Sequence, residues 1–97
     1  MIPQLSLVTA MSMTKTYKKT VDKWGEEAQY DQMIEECAEL IVALKHLKRG
    51  KIDRQEVINK LADVTLMVGQ LTWLLGEEEV NSAIEEKLQK LEKLLNI

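Results

Sequence analysis

The stretch from Glu35 to Leu47, EECAELIVALKHL, decides the fold. At about 100° per residue, Met33, Cys37, Leu40, Ile41, Leu44 and Leu47 fall on one face of a helix. That face is predicted to be core. Glu36 falls at the margin of the stripe, Glu39 lies next to it one turn on, and Glu35 points further toward the opposite side. Carboxylates therefore flank the seam instead of facing bulk water. A charged outer face with i,i+4 partners is the commonest meaning of a Glu-rich helix, so a functional meaning needs support from elsewhere in the chain.

Outward from this stretch, composition narrows the class. At 97 residues the chain has the length of one domain, large enough for a core but small enough that oligomerisation is a common route to stability. With 45% hydrophobic and 30% charged residues, one Pro and four Gly, it reads as ordered, helical and soluble. No run approaches the roughly 18 apolar residues of a membrane span, and Met1 to Ala10 lacks the basic and long apolar regions of a signal peptide. A cytoplasmic location is expected. Cys37 is the only cysteine, so neither a disulfide nor a zinc site is built within one chain. The net charge of −3 argues against a nucleic-acid partner, which calls for a basic face. The charge is nonetheless uneven. Glu26, Glu27, Asp31, Glu35, Glu36 and Glu39 follow one another with no Lys or Arg between them, and then Lys45, Lys48, Arg49, Lys51 and Arg54 cluster.

In chain order, Met1 to Ala10 contains Pro3 and no clear period, and residues 1–11 are expected to be extended or disordered. A single all-α domain is expected over 12–97. Its first helix starts near Ser12 or Thr14, either of which can cap it, and runs through Trp24 to a stop at Gly25. The second begins near Glu26, with acidic residues in the first turn and Lys45, Lys48 and Arg49 in the last, as the helix dipole favours; Gly50 ends it. Asp53 and Glu56 form a capping box ahead of Val57, Leu61, Val64, Met67, Val68, Leu71, Leu74 and Leu75 at helical spacing, and Gly76 closes this third helix. A fourth starts near Glu77 and carries Val80, Ile84, Leu88, Leu91 and Leu95 close to a 3.6 period. Amphipathic helices joined by short links predict an all-α, four-helix bundle. Leu88, Leu91 and Leu95 are too exposed in a monomer of this size, which predicts a two-fold dimer.

On the third helix Asp63 lies at the edge of the apolar stripe, as Glu36 and Glu39 do on the second. If the two helices pack antiparallel, as a short link implies, the carboxylates converge. Such a group selects Mg²⁺ or Mn²⁺, with open positions for substrate phosphates. Without a cation, at least one carboxyl pKa is pushed up instead.

The order Trp24-Gly25, Gln29, Glu35-Glu36-x-x-Glu39-Leu40, a basic turn at Lys48-Arg49-Gly50, then Leu61-Ala62-Asp63-Val64 resembles the MazG-like, all-α nucleoside triphosphate pyrophosphohydrolases, whose signature is EExxE on one helix and ExxD on the next. The resemblance covers Trp24 to Leu75 and extends more loosely to the Lys-rich last helix. It implies a MazG-like bundle, completed by dimerisation or a larger assembly such as a tetramer. The implied activity is a Mg²⁺-dependent split of a nucleoside triphosphate into monophosphate and pyrophosphate. Glu36, Glu39 and Asp63 map onto metal ligands, and Glu35 onto a further carboxylate that binds metal or orients water.

The chain departs from that pattern at Lys60, where ExxD has Glu. On the wheel Lys60 lies between Met67 and Leu71, so its stem runs inward, within reach of Glu36, Glu39 or Asp63. A buried lysine is costly unless paired. It can replace the metal's charge and leave an ion-paired, hydrolytically weak site; it can contact a substrate phosphate beside a remaining Mg²⁺; or it can snorkel to the surface. Trp24 and Trp73 are candidates for stacking a base, although a Trp on an amphipathic helix more often packs. Gln29, Lys87 and Lys90 complete the substrate-binding candidates; the two lysines also balance Glu85, Glu86 and Glu92. His46, with no second imidazole nearby, is expected to be inert. Two functions stay open: a pyrophosphohydrolase, or a nucleotide-binding or interaction protein of the same fold in which Lys60 has displaced the metal chemistry.

Overall fold

Residues 13–97, the part of the chain described by the computed structural model, are almost entirely helical. Helix α1 spans Thr14–Trp24, α2 Glu26–Lys48, α3 Arg54–Leu75 and α4 Glu77–Leu95. Among the described residues the all-α, four-helix expectation is met, and none of them forms a strand. No helix among the described residues is long and apolar enough to cross a membrane. The expected extended segment, and Ser12 as a cap, lie outside the described residues; Met13 takes the cap position of α1.

The α2–α3 link is built from local chemistry that sets the register of everything after it. Gly50 adopts φ +69°, which the absence of Cβ permits at little cost. Its N–H donates to Leu47 O at 3.0 Å, and Lys51 N–H donates to His46 O at 2.9 Å. This is the double closure that satisfies the last carbonyls of a helix. Asp53 then caps α3, its Oδ1 accepting from Glu56 N–H at 3.4 Å. Gly25 and Gly76, also at positive φ, supply the one-residue links on either side.

Helices α2 and α3 form an antiparallel hairpin that makes most of the contacts between elements. Met33, Glu36, Leu40, Ala43 and Leu47 of α2 are buried or half-buried, as are Val57, Lys60, Val64, Met67, Leu71 and Leu74 of α3. The contact line thus lies to one side of the stripe expected from the wheel. Ala43 is buried, whereas Ile41 and Leu44, expected in the core, are 59% and 43% exposed. The reason is geometric. The apolar arc of α2 is wider than one neighbouring helix covers, and α3 sits over its Glu36–Ala43 edge.

A second apolar ridge is left largely uncovered by the described residues. On α2 it runs through Tyr30, Ile34, Cys37, Ile41 and Leu44, and on α3 through Ile58, Leu61, Thr65, Val68, Thr72 and Leu75. Each ridge lies about 100° beyond the seam in the chain direction. Because the helices run in opposite directions, that rotation carries both ridges to the same side of the hairpin. Neither ridge contains a charge. Helix α4 contacts mainly α3, and its Leu88, Leu91 and Leu95 are exposed, as expected for one copy of the chain.

Helix α1 is tied down by polar chemistry. Gln70, 3% exposed, donates from Nε2 to Tyr17 O at 3.0 Å, and Tyr17 is itself buried. Replacing Gln70 with Ala removes this buried hydrogen bond, while Tyr17 O keeps its partner within the helix, a change worth about 0.5–1.5 kcal/mol. Gln70→Ala is expected to lower the unfolding free energy by that amount in urea. It should also raise amide hydrogen exchange in α1 before α2 and α3; equal acceleration in all helices would show that Gln70 does not anchor α1.

Candidate carboxylate and lysine site

The capped start of α3 and the closed end of α2 place Lys60 opposite Glu39. Lys60 Nζ donates to Glu39 Oε1 at 2.7 Å and stands 4.0 Å from Asp63 Oδ2, one turn further along its own helix. Glu36, one turn before Glu39, accepts from Gln32 Nε2 through Oε1 at 2.9 Å. Its Oε2 is buried and has no hydrogen-bond partner. Glu36, Glu39, Lys60 and Asp63 therefore lie near one another on the hairpin. Glu35 is exposed and makes no ion pair among the described residues.

Electrostatics register this grouping. Burial, then the charges of Asp63 and Glu39, push the Glu36 carboxyl above the usual glutamate range, while the Gln32 hydrogen bond and the Lys60 ammonium pull it back. The hydrogen bond to Glu39 holds the Lys60 ammonium above the ordinary lysine value; burial opposes this, and the charges of Glu39, Asp63 and Glu36 reinforce it. Lys60 does not snorkel away from the carboxylates. It is their shared cation, with a side chain 35% exposed to water that screens the pair.

The fit of a divalent metal follows from this geometry. Among the described residues no three His, Cys, Asp or Glu side chains are arranged to hold a metal ion. Glu39, one of the expected ligands, is engaged by an ammonium at hydrogen-bond distance. A divalent cation does not fit this arrangement while Lys60 occupies it, because two cations would compete for the same oxygens. The orphaned Oε2 of Glu36 is the one feature that favours a metal.

The other candidates are not gathered here. Trp24 is 62% exposed, and Lys23 Nζ lies 4.8 Å from its ring centroid. Gln29, buried, donates from Nε2 to Gly25 O at 3.1 Å and so serves the α1–α2 corner. Lys87 and Lys90 are exposed on α4, without ion-pair partners among the described residues. Sequence analysis missed Gln32, although its i,i+4 spacing from Glu36 was visible. It also missed a hollow of about 360 Å³ beside the Lys60–Glu39 pair, whose walls include His46 and Glu56.

The Glu36 carboxyl gives a direct readout of the group. In a pH titration followed by carbon-13 NMR, its midpoint is expected above those of exposed glutamates, and higher still in Lys60→Met, which removes a charge that lowers it. A carboxyl with a raised folded pKa destabilises the fold when ionised. The wild-type protein should therefore gain stability from this group as pH falls through that midpoint toward the unfolded glutamate value, and Glu36→Gln should remove the gain. A Glu36 midpoint unchanged by Lys60→Met would separate the two groups. No family model, curated protein or solved structure matches the chain.

Proposed function

We propose that this chain is a MazG-like helical protein in which Lys60 has replaced the metal's charge, and that it works as a binding or interaction module instead of a pyrophosphohydrolase. The observation that carries this is the 2.7 Å contact between Lys60 Nζ and Glu39 Oε1, with Asp63 Oδ2 at 4.0 Å. The ammonium supplies internally the positive charge the carboxylates require. When Glu36, Glu39 and Asp63 are ionised, the four groups still carry a net negative charge. A triphosphate is repelled unless it brings further cations, so the electrostatics favour neither hydrolysis nor metal-free nucleotide binding.

The proposal includes self-association. Tyr30, Ile34, Ile41, Leu44, Ile58, Leu61, Val68 and Leu75 are each at least 39% exposed on the uncharged side of the hairpin. Covering what remains of each is worth about 1 kcal/mol. Both copies contribute to such an interface, and the gain is of the size needed to offset an association cost of about 4–15 kcal/mol. A second copy is the simplest cover, since an uncharged face meets itself without repulsion. Sedimentation at micromolar concentration should give a dimer, with Ile41→Lys shifting it to monomer. A monomeric wild-type protein would sink this part of the proposal.

A pyrophosphohydrolase is the second reading, favoured by the unpartnered Oε2 of Glu36. Calorimetric titration with Mg²⁺ and Mn²⁺, followed by assay of pyrophosphate release from nucleoside triphosphates, separates the two. The proposal expects no heat of binding and no release for the wild-type chain, with divalent-cation binding appearing in Lys60→Glu. Metal binding and pyrophosphate release by the wild-type chain would overturn the proposal and establish the hydrolase.

A further inference from the structure

The hollow beside the Lys60–Glu39 pair has a different chemistry from the carboxylate group itself. It lies toward the α2–α3 turn, and its volume of about 360 Å³ is within the range of small-molecule sites. Val42, Ala43 and Ile52 supply apolar surface. Ala43 sits within the seam, where its short side chain leaves room that a leucine would fill. His46, Glu56 and the Lys60–Glu39 pair supply the polar edge.

Glu56 gives the edge its character. The Asp53–Glu56 spacing predicts a reciprocal capping box, but only half of it forms. Asp53 Oδ1 accepts from Glu56 N–H, whereas the Glu56 carboxylate makes no hydrogen bond or ion pair among the described residues. Glu39 is already matched by Lys60. Among the described residues lining the hollow, Glu56 is therefore an unmatched charge on the rim, and Asp63 and Glu36 add negative potential from behind the pair.

We propose that this hollow is a binding site for a small organic cation, one with an aromatic or aliphatic body seated on Val42, Ala43 and Ile52 and an ammonium or amidinium head donating to Glu56. An anion of the same shape is rejected by the same charge. The inference goes beyond the absence of metal chemistry, since the hollow needs neither metal nor phosphate to work.

Benzamidine and benzoate, which share a body and differ in the sign of the head, test it. The full-length protein in metal-free buffer is titrated with each and followed by backbone amide NMR. Benzamidine is expected to give saturable shifts at Val42, Ala43, His46, Ile52 and Glu56, and benzoate none. Glu56→Gln, at an exposed position, is expected to weaken benzamidine binding roughly tenfold, as loss of a charge-assisted hydrogen bond does. Val42→Trp, half-exposed on the wall, is expected to abolish it, with amide spectra of both variants showing whether the fold is intact. Equal shifts from benzoate, no saturable shift from benzamidine, or undiminished binding in a folded Glu56→Gln or Val42→Trp variant would each overturn the proposal. Loss of metal-dependent activity has no bearing on these readouts, so this inference and the proposed function fail separately.

Discussion

The antiparallel packing of α2 on α3 is the contact on which the rest of the molecule depends. It buries Ala43 and Val57, fixes Lys60 across from Glu39, and provides the surfaces that α1 and α4 use. Its register comes from the turn. Each residue added to a helix advances it by about 1.5 Å, so the closure at Gly50 and the cap at Asp53 determine which residue of α3 faces Glu39. A longer link would free the helices to slide, and the ion pair would lose its geometric basis. The charged site is thus a product of the turn as much as of the residues that compose it.

A lysine and a divalent metal solve the same electrostatic problem differently. Both lower the repulsion among Glu36, Glu39 and Asp63. A metal is exchangeable and keeps coordination positions for substrate oxygens, whereas an ammonium is attached to the backbone and spends its donors on the carboxylates around it. Replacing one by the other retains the cohesion of the helices while withdrawing the open coordination site. Glu36 keeps an oxygen that neither Gln32 nor Lys60 reaches, a local imperfection left by a single charge serving three acids.

Much of this was legible in the sequence. Gly25, Gly50 and Gly76 mark the helix ends because each link needs a positive φ, and Asp53 marks the start of α3 because its side chain accepts from the backbone. The meeting of Glu36, Glu39, Lys60 and Asp63 followed from one wheel per helix and one antiparallel turn. The rest was hidden for definable reasons. Periodicity reports how wide an apolar arc is but not which part a neighbour covers, so Ile41 and Leu44 were assigned to a core that one chain does not build. Gln29 looked like a substrate contact because a motif names the residue but not the direction of its amide, and here the amide turns back to Gly25. The hollow near His46 is lined by residues of both helices and of their link, an arrangement that leaves no periodic signal.

The Gln70–Tyr17 hydrogen bond joins residues 53 positions apart, and this separation imposes an order on assembly during synthesis. Helix α1 leaves the ribosome first, yet the amide that receives it has not been made, nor has the α3 surface on which it lies. Helix α1 can meet α2 earlier, but its buried anchor at Gln70 exists only once α3 has been made. Among the described helices α1 is made first, and until α3 follows, its backbone relies on its own hydrogen bonds, on α2 and on water.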